Sequence, residues 1–162
     1  MTETLTTLSL MERVLFLRKV PLFGTLAPPD LEPIASVARE QAFVEGDVLA
    51  TQGEHGVEMH IIVSGAVSVI TGAGDERRVV ATRSSGDVVG EMSLLTNEPR
   101  IAGLVCAGPV RVLTIDRPRF EAILRERPET SIGVIRVLCR RLAEGDAQSA
   151  GADGTGITTA ST

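Results

Sequence analysis

Tryptophan and tyrosine are absent from the 162 residues, and only four phenylalanines are present. The core must therefore be built from aliphatic side chains. Proteins that bind single-stranded nucleic acid stack bases on aromatic rings, and this chain has almost none. The chain also lacks a basic block. It has 16 Lys and Arg and 21 Asp and Glu, which give a net charge of −5. We expect no direct contact with nucleic acid, since phosphate backbones bind to clustered positive charge.

A long hydrophobic run and a secretory signal are also missing. The longest apolar stretch, residues 61–70, is interrupted by Ser64, Gly65 and Ser68 and is roughly half as long as a spanning helix. The first twenty residues mix acidic and basic side chains, unlike a secretory signal. We expect no membrane span in this chain and a cytoplasmic location.

Cysteine is rare, with only Cys106 and Cys139 present. Each lies in an apolar segment, the first predicted as a strand and the second as a helix face. Buried reduced thiols are expected rather than a disulfide. The sequence leaves open whether the two cysteines meet in the fold.

Residues for catalysis or metal binding are equally scarce. The only histidines are His55, expected to be exposed in a glycine-flanked loop, and His60, expected to be a structural strand residue. They do not form a pair at alternate strand positions, and no serine lies in the turn motif of a Ser-His-Asp set. We expect no catalytic residue and no metal site.

Two helices are predicted ahead of the first strand. The first covers residues 5–20, has a capping-box pattern at Ser9 and Glu12, and is ended by Pro21. The second covers 30–38, with Asp30 as its cap. The first helix has Leu8, Met11, Leu15 and Arg18 at helical spacing, and also carries Leu10, Val14 and Leu17; the second has Leu31, Ile34 and Ala38 inward.

From residue 41 to 116, short apolar runs alternate with turn residues every eight to twelve positions. Regular short strands with glycine-rich turns predict an antiparallel sandwich or barrel. The segment from Gly72 to Asp75 is predicted to be a hairpin tip. The predicted strands are 41–43, 48–51, 58–64, 66–71, 77–82, 87–89, 101–107 and 110–115.

Two further helices are predicted after the strands. One begins at Asp116 and is broken by Pro128. The other covers about 129–144 and ends at Gly145. Residues 145–162 bury too little to order themselves, so a disordered tail is predicted. The helix that begins at Asp116 has Phe120, Ile123 and Leu124 as its inward side chains. The helix over 129–144 has an apolar stripe of Ile132, Ile135, Leu138, Cys139 and Leu142.

Residues 88–102 have the features of a site for a small anion. A short helix that starts near Gly90 leaves backbone N–H groups free, and glycine lets a ligand approach the backbone. Arg100 offers a permanently charged fork of donors to a phosphate. Glu91 would repel a phosphate unless it accepts hydrogen bonds from a hydroxyl of the same ligand, as in a nucleotide. The residues alone leave open a helix-start role for Glu91 and a surface role for Arg100.

The segment Gly90-Glu91-Met92-Ser93-Leu94-Leu95, followed by Pro99-Arg100-Ile101-Ala102, resembles the phosphate-binding cassette of cyclic nucleotide-binding domains. The resemblance covers residues 21–142. It implies an α+β, mainly β fold, in which an antiparallel, jelly-roll-like β-roll is flanked by N-terminal helices and two C-terminal helices. It also implies that Glu91 binds the ribose 2′-hydroxyl and that Arg100 binds the cyclic phosphate, assisted by the backbone N–H groups of Met92 and Ala102. The implied ligand-binding residues are Gly90, Glu91, Met92, Ser93, Pro99, Arg100, Ile101, Ala102, Leu138 and Arg141.

The resemblance also bears on which ligand is bound. The family often has a small residue where this chain has Ile101, and a threonine, serine or alanine where it has Gly103. The missing hydroxyl at Gly103 favours cyclic AMP or weak binding, with cyclic GMP as the alternative ligand. The last helix is implied to close over the base, without an aromatic stack, so base selectivity is expected to be modest. The candidates for this lid are Leu138, Arg141 and Leu142.

The predicted organisation is an N-terminal amphipathic helix over 1–20, a cyclic nucleotide-binding domain over 21–144 and the tail over 145–162. Since no helix-turn-helix follows the last helix, the expected partner is an effector domain or protein, in the same larger protein or through a homodimer. One alternative is a degenerate domain that serves protein interaction or oligomerisation. A cupin-like metal enzyme is a third hypothesis.

Overall fold

The computed structural model describes residues 7–160, with side chains described as far as Gly145. Within that range the chain forms two four-stranded antiparallel sheets, with two helices before the strands and two after them. The predicted α+β, mainly β fold with a helix-flanked antiparallel β-roll is confirmed. The helices are α1 (Leu10–Leu17), α2 (Pro28–Val37), α3 (Arg117–Glu126) and α4 (Pro128–Ala160), and the strands are β1 (Arg39–Phe43), β2 (Val48–Ala50), β3 (Glu58–Ser64), β4 (Val67–Thr71), β5 (Arg78–Arg83), β6 (Val88–Val89), β7 (Gly103–Cys106) and β8 (Val110–Asp116).

The two sheets pack against each other through aliphatic side chains. One sheet has the order β1-β8-β3-β6 and the other β2-β7-β4-β5. Ile62 and Val112 of the first sheet contact a core that includes Val67 and Leu104 of the second. A larger core lies between the first sheet and the helices. The helices thus cover one side of the roll, and the 3-10 helix Glu91–Leu94, which follows β6, contributes Leu94 to this larger core.

The predicted strands are confirmed, with ends that agree within two residues. β4 and β5 pair as a hairpin, and a 3-10 helix over Gly74–Glu76 lies at its predicted tip. The alternation of apolar and polar residues predicted these strands because one face of most strands is buried.

The helix α1 is shorter than predicted. Its capping box is confirmed, since Ser9 and Glu12 exchange both hydrogen bonds, but the helix begins only at Leu10. Residues 5 and 6 of the predicted helix lie outside the described residues. The buried side chains are Val14 and Leu17. Of the predicted stripe, Met11, Leu15 and Arg18 are exposed, because the opposite apolar stripe packs against α2 and the sheet.

The starts of α2 and α3 differ in their caps. Ala27 precedes α2, and Pro28 and Pro29 fill its first two positions, so Asp30 does not act as the predicted cap. Leu31, Ile34 and Ala38 are buried as predicted. The Asp116 side chain caps α3 as predicted, accepting a hydrogen bond from the Arg119 backbone N at 2.9 Å, and Phe120 and Ile123 are buried.

The predicted apolar stripe of α4 is mostly exposed. A Cβ at Gly133 would collide with the Leu26 side chain, so the glycine is the point of closest approach to the core. Val134 and Val137, beside it, are buried. The predicted helix end at Gly145 is wrong, because α4 continues to Ala160; the division into domain and tail stays a prediction. The stripe residues that lie exposed are Ile132, Ile135, Cys139 and Leu142.

The two cysteines are both free. Cys106 is buried in β7 as predicted, whereas Cys139 is exposed, contrary to the prediction. The error has the same cause as the error in the α4 stripe, since the helix face that carries Cys139 points away from the core.

Candidate ligand-binding site

A cavity of about 500 Å³ lies between the 88–102 segment and the strands. This volume is within the range of small-molecule sites. The structure brings eight of the ten predicted site residues to this one cavity. Those eight are Gly90, Glu91, Met92, Ser93, Pro99, Arg100, Ile101 and Ala102, and the lining residues that the sequence reasoning did not name are Val69, Arg83, Val88, Val89, Thr96, Glu98 and Leu104.

The Arg100 side chain is held between two glycines. A Cβ at Gly56 or at Gly90 would collide with its guanidinium, and Gly90 also has a φ of +77°, which side-chain-bearing residues rarely adopt. The guanidinium donates to the carbonyl oxygen of Glu58 at 2.8 Å. The backbone N of Arg100 donates to the Glu54 carbonyl oxygen at 2.7 Å, which fixes the segment itself.

The charge of Arg100 is only partly compensated. Burial lowers the pKa of its guanidinium, and the nearby Glu58 charge opposes that shift. The Glu58 carboxylate, however, pairs with Arg39 at 3.2 Å, and no carboxylate of the described residues is within ion-pair distance of Arg100. Arg100 therefore presents a half-buried positive charge to the cavity.

Glu91 is the second ionised group at the cavity. Its side chain is only 15% exposed, and its Oε1 pairs with the guanidinium of Arg141 on α4 at 2.9 Å. Its Oε2 is buried and has no hydrogen-bond partner. An unpaired buried carboxylate oxygen is unfavourable, and a ligand hydroxyl that donates to it would remove the penalty.

The 3-10 helix Glu91–Leu94 is held in place by Arg117, a residue that the sequence reasoning missed. Its guanidinium donates to the carbonyl oxygens of Ser93 and Gly56 at 2.8 Å and of Thr96 at 2.5 Å. Arg117 is the first residue of α3, so the clamp connects the site to the C-terminal helices. The only sequence signal was a basic residue placed at the start of a helix, where the dipole disfavours it.

Below Arg100 lies a smaller polar cavity of about 160 Å³, lined partly by His55 and His60. His60 lies in strand β3 as predicted and is buried, and its Nδ1 is 2.9 Å from the Thr114 hydroxyl. That hydroxyl donates to Gln41 Oε1 at 2.7 Å, so His60 is the donor to Thr114. Burial, with smaller effects of Arg100 and Arg39, lowers the pKa of His60 to about 4. His55 is exposed as predicted.

Within residues 7–145, no three His, Cys, Asp or Glu side chains come together as metal ligands would. None of the helices in the part of the chain that the structure describes is long and apolar enough to cross a membrane.

The family model for the cyclic nucleotide-binding domain matches residues 40–127, which include the whole cavity lining. The chain belongs to this family. Among its relatives, the cyclic AMP receptor protein of Thermus thermophilus is 31% identical over 127 residues, which are 78% of this chain and 59% of that protein. The chain therefore spans less than two thirds of this relative.

Two solved structures extend the comparison of this cyclic nucleotide-binding domain. The N-terminal domain of a transcriptional regulator from Streptomyces coelicolor shares the fold, with a TM-score of 0.76, 24% identity and coverage of 83% of this chain and 94% of that one. The regulatory subunit of a cAMP-independent protein kinase A from Trypanosoma brucei has a TM-score of 0.64, 28% identity and coverage of 82% and 46%.

The residues expected to form the lid of this cyclic nucleotide-binding domain do not line the cavity. Leu138 packs on the helical core, Leu142 is 68% exposed, and Arg141 reaches the site only through Glu91. Closure of α4 over a base stays a prediction.

The two positions that depart from the family pattern lie in different surroundings. Gly103 lies in β7 and lines a different cavity, together with Ala50 and Ile70, and an added Cβ there would be 3.5 Å from the Ala50 carbonyl oxygen. Ile101 lines the cavity and is 90% exposed.

Proposed function

We propose that this chain is a regulatory domain that senses a cyclic nucleotide, cyclic AMP or cyclic GMP. The observation that carries the proposal is the pairing, in one cavity, of a partly compensated arginine with a buried carboxylate that has one free oxygen. Arg100 supplies the positive charge for a cyclic phosphate. Glu91 Oε2 supplies the acceptor for a sugar hydroxyl. A ligand that carries both groups satisfies both residues at once.

The remainder of the cavity suits the remainder of a nucleotide. Val69, Val88 and Leu104 provide aliphatic surface for a base. A cavity of about 500 Å³ has room for one mononucleotide. Family membership alone does not carry the proposal, because one relative is named for cyclic AMP and another structure is named cAMP-independent.

The proposed role is binding without catalysis, in the cytoplasm. The signal would pass through α4 to an effector domain, a separate effector protein or a second copy of this chain. The helix α4 is suited to this role because its Arg141 contacts the Glu91 carboxylate of the cavity. A ligand shifts such an equilibrium only by its different affinity for the two arrangements of the helix.

The test is thermal unfolding with and without cyclic AMP and cyclic GMP. Ligand at about one hundred times its Kd adds about 2.7 kcal/mol to the free energy of unfolding, which raises the Tm by roughly 5–10 °C. Arg100→Ala should abolish the rise while the protein still unfolds cooperatively. Arg78→Ala is the matched control, because Arg78 is exposed on β5 and does not line the cavity.

A second candidate function is a protein-interaction or oligomerisation module that has lost its ligand. The observation that favours it is apolar surface on both flanking helices. An unchanged Tm with millimolar concentrations of either nucleotide, together with self-association in sedimentation experiments, would support it. The exposed apolar residues are Leu10, Met11 and Leu15 on α1 and Ile132, Ile135 and Leu142 on α4.

A further inference from the structure

We propose that Arg83 reads the base of the bound cyclic nucleotide and selects a 6-oxopurine, such as guanine or hypoxanthine, over adenine. This inference rests on the proposed function and goes further, because it names the specificity-determining residue and the class of base. It reverses the preference for cyclic AMP that the sequence suggested from Gly103, a residue that lies outside the cavity.

The strand register places Arg83 on the inner face of its sheet. In the β4–β5 ladder Arg83 is opposite Val67, and Ala81 is opposite Val69. Directly opposed residues of antiparallel strands have their side chains on the same face. Val67 is fully buried and Val69 lines the cavity. Arg83, at the end of β5, is therefore directed to the cavity side.

The position of Arg83 along the cavity is at the Glu91 end. A smaller adjoining cavity of about 260 Å³ shares Arg83, Val88 and Glu91 with the larger one, and it does not include Arg100. Glu91 is the acceptor for the sugar and Arg100 the cation for the phosphate. A group beyond the sugar, on the side away from the phosphate, is the base.

Arg83 is the polar member of an otherwise aliphatic wall. The strands contribute five residues to the cavity, and the other polar lining residues belong to the 88–102 segment. Among the described residues, no hydrogen bond or ion pair involves the Arg83 guanidinium, so its donors are uncommitted. The five strand residues are Val69, Arg83, Val88, Val89 and Leu104.

The chemistry of a guanidinium favours one kind of purine. Arginine donates hydrogen bonds and accepts none. Guanine presents two acceptors, N7 and O6, on one edge, and arginine binds them with two bonds. Adenine keeps N7 but replaces O6 with an amino group that is itself a donor. Arg83 therefore gains two hydrogen bonds from a 6-oxopurine and faces an unfavourable donor–donor contact with adenine.

The experiment measures the Kd of three ligands by titration calorimetry: cyclic AMP, cyclic GMP and cyclic IMP. Cyclic IMP carries O6 and N7 but lacks the 2-amino group of guanine, so it isolates the edge that Arg83 reads. The proteins are the wild-type chain, Arg83→Ala and the control Arg78→Ala, which removes an exposed arginine of the same strand from outside the cavity.

The expected result is roughly tenfold tighter binding of cyclic GMP and cyclic IMP than of cyclic AMP by the wild-type protein, since a bidentate contact discriminates by about fivefold or more. Arg83→Ala should remove that ratio by weakening the binding of the two 6-oxopurine nucleotides. Binding of cyclic AMP should stay the same or become tighter, because the donor–donor contact with adenine is lost. Arg78→Ala should keep the wild-type ratio.

Two results would overturn the inference while leaving the proposed function in place. One is an equal loss of all three nucleotides in Arg83→Ala, which would make Arg83 a phosphate contact. The other is a ratio that does not depend on Arg83. If the wild-type protein bound none of the three nucleotides, the proposed function would fail, and this inference with it.

Discussion

The orientation of Arg100 depends on Gly56, a residue that does not line the 500 Å³ cavity. Gly56 leaves the space in which the Arg100 guanidinium lies. Gly56→Ala should displace that side chain, because a flexible arginine moves more easily than the backbone. We expect the Kd for the cyclic nucleotide to rise at least tenfold, with little change in the Tm of the ligand-free protein.

Calorimetry together with a thermal melt of the same samples separates these two effects. Gly108→Ala is the control, since its added Cβ meets nothing within 4 Å. A normal Kd for Gly56→Ala would mean that Arg100 has a second productive orientation.

His60 makes the stability of the fold depend on pH. Its pKa is about 4 in the folded protein and 6.5 when unperturbed, so between these values the unfolded chain binds more protons. The stabilisation is complete above pH 6.5 and is lost as the pH falls to about 4, by about 3 kcal/mol. Urea unfolding at a series of pH values measures this loss of unfolding free energy.

A matched variant assigns this pH dependence to its source. His60→Gln should flatten the unfolding free energy between pH 6.5 and 4, although its overall stability is lower. Asp116 affects stability in a separate pH range. Burial raises the pKa of its carboxyl, but the hydrogen bonds and charge of Arg119 outweigh burial and lower that pKa below its usual 3.8. Its contribution to the free energy of unfolding is therefore lost only at a lower pH than that of His60. An unchanged slope in His60→Gln would contradict the assignment.

The 3-10 helix Glu91–Leu94 depends on one side chain, because Arg117 donates to the carbonyl oxygens of Ser93, within the helix, and of Thr96, just after it. Arg117→Ala would leave three backbone acceptors without that partner. Hydrogen bonds to charged groups contribute about 1.5–3 kcal/mol, so we expect the free energy of unfolding to fall by about 2 kcal/mol.

Hydrogen exchange shows where that loss occurs. The amides of residues 91–97 should exchange faster in Arg117→Ala. The control Arg125→Ala removes an exposed arginine of α3, the helix that begins at Arg117, and should behave as wild type. Uniformly faster exchange across the whole chain would argue against a local clamp.

The strands and the cassette were predictable from the sequence because their signals are local. Strand alternation is set by one buried face, and the residues from Gly90 to Ala102 are nearly contiguous. Arg117, in contrast, is 24 residues from Ser93 and 61 from Gly56. Arg83 follows Ala81 at period two, but a register irregularity between Val69 and Ile70 places Val79 opposite Ile70, on the other face of the sheet. The alternation in the sequence therefore does not run along the whole of β5, and only the register with β4 directs Arg83 to the cavity.

The helix faces were not predictable for a different reason. Both α1 and α4 have two apolar stripes, and periodicity cannot decide which one packs. In α4 the face that packs is set by Gly133, where the absence of a side chain permits close contact with Leu26.

At the scale of the whole molecule, the ion pair between Arg141 and Glu91 connects the cavity to α4. Arg141 on Oε1 fixes the orientation of the carboxylate whose Oε2 would accept a ligand hydroxyl. By holding that carboxylate in place, Arg141 should favour ligand binding, and the ligand should favour the ion pair to the same extent, since such coupling is reciprocal. Arg141→Ala should weaken binding of the cyclic nucleotide by about fivefold, since an ion pair of this exposure contributes about 1 kcal/mol.

The reciprocal effect is measured by hydrogen exchange of α4 with and without ligand. Ligand should protect the helix in the wild-type protein and in Arg140→Ala, an exposed neighbour, but less so in Arg141→Ala. Equal protection in all three proteins would mean that the site reaches α4 by another route.

The unequal environments of the two cysteines have a practical consequence. Cys106 is enclosed, and burial, with a smaller effect of Asp47, raises the pKa of its thiol, which leaves little of the reactive thiolate. Cys139 is exposed on α4, two residues before Arg141. A thiol-reactive fluorophore should thus attach once per chain, on α4, and should report ligand binding by a change of its emission in the wild-type protein.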